Sequence, residues 1–313
     1  MKNNHKKMSP QFLKNGFGMF AISISAGIII NLGAANASAH GFVGDRFFPP
    51  TIATDDPFAV DELLLPSVSH IKSPGDDGPV RTTDIGFEFD KEIFPKFALG
   101  ISGDYLHLKP DDGPSVHGFD NFTLSAKYQL WQNDEHEAIF SVGGEWEIGG
   151  SGNKNVGADS TSTFTPTIYY GKGFGDLPDA VKYARPFAIT GTVGEDLPTS
   201  ADNPNALEWA FALEYSLPYL QAQVKDVGLP RAFKNLIPLV EFSFETPQNR
   251  GGGPTTGTIN PGVLYENRYF QIGAEAIIPV NSATGNNVGA VVQVEIFLDD
   301  IFPKLFGRPL FGN

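Results

Sequence analysis

Cysteine is absent from all 313 residues. Disulfides, thiol nucleophiles and thiolate metal sites are therefore excluded together. Basic residues are scarce, with 22 Lys and Arg against 36 Asp and Glu, and they do not cluster. Phosphate binding needs clustered Lys and Arg, so nucleic acid is excluded as a partner. Beyond residue 39 the chain also lacks an apolar run approaching the roughly 20 residues of a membrane-spanning helix. If that part of the chain enters a membrane, it must do so as a closed barrel, where every backbone group is satisfied between strands.

What is present begins with an export signal. Lys2, Lys6, Lys7 and Lys14 give a basic start, and no acid precedes Asp45. A mostly apolar run, Phe17 to Leu32, leads to Ala37-Ser38-Ala39, small residues of the kind cleaved in secretory signals. The run is too short for a spanning anchor, so residues 1–39 read as a cleaved signal peptide and His40 as the mature N-terminus. Cleavage leaves 18 basic against 36 acidic residues, a net charge of −18. The export translocon and the barrel-assembly machinery are the partners expected during biogenesis, with outer-membrane lipid around the finished protein.

The body of the chain carries period-two alternation over segments of about ten residues, the pattern of membrane barrel strands. Phe122, Leu124, Ala126, Tyr128 and Leu130 alternate with Thr123, Ser125, Lys127 and Gln129. Phe140, Val142, Trp146 and Ile148 alternate with Ser141, Gly143, Glu145 and Glu147, and Leu207, Trp209, Phe211, Leu213 and Tyr215 with Glu208, Ala210, Ala212 and Glu214. The last strong case sets Val288, Ala290, Val292, Val294 and Ile296 against Gly289, Gln293 and Glu295. Weaker repeats near 84–89, 97–105, 163–170, 187–193, 240–245, 258–265 and 270–278, with a first strand near 61–71, bring the count to about twelve. Polar loops (109–118, 149–160, 195–205, 246–256, 281–287) alternate with tight turns (91–96, 132–137, 265–268). Two connections, 171–184 and 217–235, are rich in Leu, Pro and Ala and read as short helices or plugs on the periplasmic side. The expected fold is all-β: an antiparallel up-and-down transmembrane barrel over 61–298. A periplasmic segment, 40–60, precedes it and a periplasmic tail, 299–313, follows. A soluble β-sandwich also alternates, but its polar face is usually rich in Lys. Here that face is small or acidic, and aromatics sit near the strand ends as in membrane girdles.

With the apolar face toward lipid, the other face lines the lumen. It carries Asp84, Glu88, Asp104, Glu145, Glu147, Glu208, Glu214, Glu241, Glu245, Glu275 and Glu295, opposed by few bases, chiefly Lys127 and Arg185. A low-dielectric wall focuses such a field, so a channel for small solutes that tolerates cations is expected. A structural barrel with a filled lumen is the alternative. No cofactor and no catalytic residue is indicated. His117 and Ser115 lie in a loop and His107 ends a strand, without the spacing of a lipase site. An amino-terminal His40 resembles the copper clamp of lytic polysaccharide monooxygenases over four residues, His40-Gly41-Phe42-Val43, and would need a second His among His70, His107, His117 and His136. One internal echo stands out: Glu92-Ile93-Phe94-Pro95-Lys96 resembles Asp300-Ile301-Phe302-Pro303-Lys304, which suits a shared anchor at the periplasmic rim.

Three stretches carry a family likeness: Arg46-Phe47-Phe48-Pro49-Pro50 through Thr54-Asp55-Asp56-Pro57-Phe58, Leu217-Pro218-Tyr219-Leu220-Gln221, and Val224-Lys225-Asp226-Val227-Gly228-Leu229-Pro230. With the alternation, they resemble a proteobacterial outer-membrane β-barrel family similar to the transporter-like proteins of the phenol meta-cleavage pathway. That resemblance implies a porin-like route for small, often aromatic, compounds. It names no diagnostic substrate motif. The chain departs from the usual barrel in running past its last strand to Phe311-Gly312-Asn313.

Overall fold

The computed structural model describes residues 41–75, 78–249 and 252–312. Twelve long strands follow one another: β1 Glu62–Ser73, β2 Val80–Phe94, β3 Phe97–Pro110, β4 Thr123–Asn133, β5 Ala138–Glu147 and β6 Thr163–Gly173, then β7 Phe187–Pro198, β8 Ala206–Tyr215, β9 Leu236–Pro247, β10 Thr256–Glu266, β11 Phe270–Pro279 and β12 Gly289–Phe297. Each pairs antiparallel with its neighbours in sequence. The ring closes where β12 pairs with β1, Ala290 opposite His70 and Phe297 opposite Glu62. A four-residue strand, Val116–Phe119, folds back on β3 within a loop. The all-β, twelve-strand barrel expected from alternation is therefore the fold. The weakest strand in the sequence, the first, is the one that closes it. It is weak because Pro66 interrupts its period, and Pro66 sits in a β-bulge between Leu64 and Ser67, where the ladder is already broken.

Side chains follow the two-residue period of the pleat. Outward positions hold large exposed hydrophobics such as Leu99, Leu124, Trp146, Phe164, Ile168, Leu213 and Val292. Aromatics pair across strands there: Trp209 stacks on Phe244 at 4.2 Å and Phe211 on Phe242 at 4.5 Å between ring centres. Inward positions hold the buried polar set. This inside-out arrangement is what a barrel facing hydrocarbon needs.

Connections differ between the two rims. One rim has the turns at 95–96, 134–137 and 267–269 and two longer connections, 174–186 and 216–235. Those two contain short helical pieces, Asp179–Ala184, Leu217–Tyr219, Leu220–Val224 and Arg231–Phe233, as their composition indicates. The other rim carries 74–79, 111–122, 148–162, 199–205, 248–255 and 280–288. The strand that opens the barrel begins, and the strand that ends it stops, at the short-turn rim.

The segment 41–61 departs from expectation. The sequence reading set it beside the barrel in the periplasm, whereas it is packed against the inward faces of the strands. Its start forms a two-residue-per-strand hairpin, Phe42 opposite Phe47, at the short-turn rim. Phe47 then packs with Ile237, Leu239, Leu264 and Phe297, and Phe48 with Val43, Phe58, Ile139 and Ala188. The chain runs inward to a tip at 52–56 and returns to β1 through Asp61, which accepts hydrogen bonds from Lys91 Nζ and Glu92 N. Its apolar residues show no helix or strand period, so the segment reads as a linker. Without a regular pattern, the burial of Val43, Phe47, Phe48 and Phe58 is visible only once the barrel exists.

The tail also gains a place. After a short helix, Leu298–Ile301, it turns along the outside of β2. Leu310 N donates to Glu92 O and Phe311 N to Ile93 O. β1 begins opposite Asp90, so the last residues of β2 lack a partner on that side, and the tail supplies one. Phe306 packs on Phe89 and Phe311 on Phe94. The two echoed segments, 92–96 and 300–304, thus lie at the same rim.

Candidate functional site

Every acid singled out from alternation lies on an inward position of its strand. Asp84, Asp104, Glu147, Glu214, Glu241, Glu275 and Glu295 are buried, as is Lys127, while Glu88, Glu145 and Glu208 are half-buried. Register explains how they come together. Glu208 stands opposite Glu245, and Glu62 opposite Asp90, so acids from neighbouring strands share a level of the wall. Gly262 stands opposite Glu275, and a Cβ there would fall 2.3 Å from Glu275 Cγ. The missing side chain is the space into which Glu275 folds.

The inward segment and this wall are joined by polar contacts that the sequence reading did not anticipate. Glu241, fully buried, accepts hydrogen bonds on Oε2 from Ile52 N at 2.9 Å and Ala53 N at 2.8 Å. Lys127 Nζ lies 2.8 Å from Asp55 Oδ2 and donates to Asp56 O at 2.9 Å. Gln271 Nε2 donates to Pro50 O at 2.6 Å, and Ser141 Oγ donates to Pro57 O. Burial pushes the carboxyl groups of Asp55 and Asp56 above the ordinary carboxylate range; Lys127 pulls both down, and Glu62 pushes both up.

A second tether holds the segment at the rim. Arg46, fully buried, forms a 3.2 Å ion pair with Glu137, donates to the carbonyls of Pro186 and Arg185, and stacks 3.7 Å above the Tyr219 ring. Tyr219 Oη in turn donates to Glu137 Oε1 at 2.6 Å. Burial, and next its bond to Glu137, push that phenol up to about 12. The connection 216–235 therefore supplies a wall for the tether.

Beyond the tip of the segment lies a cavity of about 210 Å³. Ile52, Ala53 and Asp55 form its floor, and its walls run toward the long-loop rim through Thr123, Glu147 and Thr163. Asp84, Glu145, Glu147, Asp196, Glu208 and Glu245 line it, and among the described residues no Lys or Arg does. Thr165 Oγ1 donates to Asp196 Oδ1 at 2.6 Å. Asp104, Glu88, Glu214, Glu241, Glu275 and Glu295 are not among its lining residues. Apart from Asp104, which lies beside the 111–122 loop where Asp120 N donates to its carbonyl, the candidate acids thus divide between an acid-walled cavity and the wall around the inward segment.

Asp90, which accepts a hydrogen bond from Ser125 Oγ, takes part as well, as do Asp196, Asp55 and Arg46, beyond the acids that alternation singles out. Asp196 keeps the inward parity of Thr190 and Thr192, and extending β7 past residue 193 would have found it. Asp90 continues Asp84 and Glu88 in the same way. Asp55 and Arg46 carried no such signal.

The other possibilities resolve differently. His40 lies outside the described residues. His70 bonds to Thr83 Oγ1, His136 pairs with Asp176, and His107 stands opposite His117 on the outward side of β3. Among the described residues, no group of three or more His, Asp and Glu is placed to hold a metal ion.

No protein-family model and no curated protein matches the chain significantly. Solved structures do. An outer membrane channel from Pseudomonas putida F1 superimposes with a TM-score of 0.53 at 10% identity, over 80% of this chain and all of that one. The KdgM porin aligns at 11% identity with a TM-score of 0.42, over 75% and 98% of the two chains. The outer membrane phospholipase A of Escherichia coli aligns at 9% identity with a TM-score of 0.41, over 83% and 95%. At such identities the likeness is one of fold alone, the closed antiparallel β-barrel that the outer membrane channel also adopts.

Proposed function

We propose that the protein is an outer-membrane channel for small cationic solutes, stoppered from the periplasmic side by its own residues 41–61. The observation that carries this reading is the sign of the inner wall. Among the described residues, carboxylates line the cavity without a Lys or Arg beside them, and the buried Lys127 is already paired with the stopper. In a low-dielectric tube such a wall attracts cations and repels anions. Short turns at the rim holding the stopper and longer loops at the other match the periplasmic and outer sides of bacterial barrels. Removal of residues 1–39 during export would leave His40 just ahead of the stopper, and assembly would pass through the translocon and the barrel-assembly machinery. The resemblance to phenol meta-cleavage barrels adds small aromatic compounds to the solutes worth testing, and the acid wall favours those bearing an amine.

The stopper itself favours the second reading, a structural barrel whose filled lumen never conducts. Planar-bilayer recording of the mature chain, and of a chain lacking residues 41–58, separates the two. The expected result is rare openings for the first and sustained conductance for the second. Under a KCl gradient the reversal potential should show cation preference. Silence from both proteins, or anion preference, overturns the channel proposal.

A further inference from the structure

The cavity above the stopper has a chemistry narrower than negative charge. Its lining offers carboxylate, amide and hydroxyl oxygens, and three of these, Ser69 Oγ, Asp84 Oδ1 and Asn260 Oδ1, stand without a partner among the described residues. Asp84 is 3% exposed and Asn260 is 4% exposed, and each has a side-chain oxygen (Oδ1) that accepts no hydrogen bond. Both residues line the cavity. A buried acceptor without a donor carries a desolvation cost, and a carboxylate carries more. The group that answers such a wall has donors only. Ammonium fits that description, with three N–H donors and no acceptor.

The wall is not acidic all round. Ile52 of the stopper, Ile277 and Val291 also line the cavity, and they pack with Ile71 as one apolar cluster. Opposite chemistries in one chamber suit a ligand with charged ends and a methylene middle. A cavity of about 210 Å³ admits a small organic ligand. A bare divalent metal fits poorly: calcium needs six to eight oxygens at about 2.3–2.6 Å, and no such group is found among the described residues.

We infer that this cavity is a binding site for short linear aliphatic diamines, with Asp84 receiving one ammonium and Glu208 and its neighbours the other. The inference rests on the cation-channel reading for its biological sense but not for its measurement. The mature chain, folded in detergent at low salt, is titrated calorimetrically with 1,4-diaminobutane, butylamine and MgCl₂. Saturable binding of one diamine per barrel is expected, with each of the other two weaker by roughly tenfold or more, since each lacks one charge-assisted hydrogen-bonding end or the spacing between two. Asp84→Asn and, separately, Glu208→Gln should each weaken diamine binding by about tenfold, with heat-modifiable migration confirming a folded barrel. Glu208 is half-buried, so its variant keeps the test alive should the Asp84 variant fail to fold. Equal binding of diamine and Mg²⁺, or unaltered binding in a folded variant, overturns the site. A barrel that conducts cations yet binds no diamine overturns the site and leaves the channel standing. Diamine binding by a barrel that never conducts supports the site and removes the channel.

Discussion

The Arg46 tether makes the stopper experimentally separable from the barrel. Arg46 belongs to the segment, Glu137 to the β4–β5 turn, and both are buried, with Arg46 fully so. In Arg46→Met the ion pair, two carbonyl bonds and the stacking on Tyr219 vanish, and Glu137 keeps only the donors from Tyr219 Oη and Gly175 N. Breaking one side of a buried ion pair costs about 3–5 kcal/mol, because the remaining charge is stranded. No barrel strand loses a ladder bond, so this cost falls on docking of the segment. The undocked population should then rise by about two to nearly four powers of ten. A thiol reporter reads it cleanly, because the natural chain has no cysteine. Thr54 suits the reporter: it is 1% exposed at the tip and its hydroxyl has no partner among the described residues. Thr54→Cys should react with a charged maleimide only when the segment is out, and at a rate proportional to the open population. The Arg46→Met background should accelerate labelling by the factor above while heat-modifiability stays unchanged. Adding Glu137→Leu removes the stranded charge and should recover most of the loss, since apolar replacement of a whole buried pair is often neutral. An unchanged labelling rate in the folded single variant, or no recovery in the double variant, refutes the reasoning.

Three further outcomes follow from the same contacts. The carboxyl groups of Asp55 and Asp56 are raised by burial, so the docked segment holds more protons than the free one. Docking is then strongest below about pH 4 and weakens as pH rises through the raised values. Labelling of Thr54→Cys, corrected for thiol ionisation, should be faster at pH 8 than at pH 5, and Lys127→Met should steepen the difference. A flat profile in both proteins denies the assignment. Gly44 has φ of +59°, and a Cβ would lie 2.3 Å from Asp134 O. Gly44→Ala should therefore raise the labelling rate by about tenfold or more from left-handed backbone strain of about 1–2 kcal/mol plus the clash. Truncation after residue 302 leaves Glu92 O and Ile93 O without the tail's donors, at about 0.5–1.5 kcal/mol each. It should lower the temperature of the heat-modifiability transition without altering labelling at Thr54→Cys.

The barrel was legible in the sequence because its strands carry two independent periodic signals, outward aromatics and inward small or acidic residues. Phe211, Leu213 and Tyr215 against Ala212 and Glu214 define a strand and its orientation at once. Glycine blurs the signal, as at Gly191 and Gly194, and β7 consequently reads five residues shorter than its 187–198 span. The inward segment was not legible because its burial has no period. Phe47 and Phe48 are adjacent yet serve different clusters, one toward β9, β10 and β12 and the other toward β5 and β7. Asp55 and Asp56 look like an exposed turn until Lys127, about seventy residues away in the chain, is brought over them. Alternation locates residues that face the lumen; it says nothing of what fills the lumen.

What fills it follows from the chemistry of the wall. Carboxylates can accept hydrogen bonds but, when ionised, cannot donate, so a ring of them cannot satisfy itself. Fully buried Glu214 shows the cost, for neither of its oxygens has a partner among the described residues. The donors must come from a second party. In the closed state that party is the inward segment, which offers the backbone N–H groups of Ile52 and Ala53 to Glu241 and draws Lys127 onto its own acids. Once the segment leaves, the oxygen of Glu241 loses those donors, and hydrated or amine-bearing cations are the solutes able to replace them. On the proposed reading, stopper and solute compete for the Glu241 acceptor, and a cation that takes it in place of Ile52 N and Ala53 N would shift the equilibrium toward the undocked state by its preference for that state. On the proposed reading, closure by backbone N–H groups and permeation by cations would be two uses of a single surface.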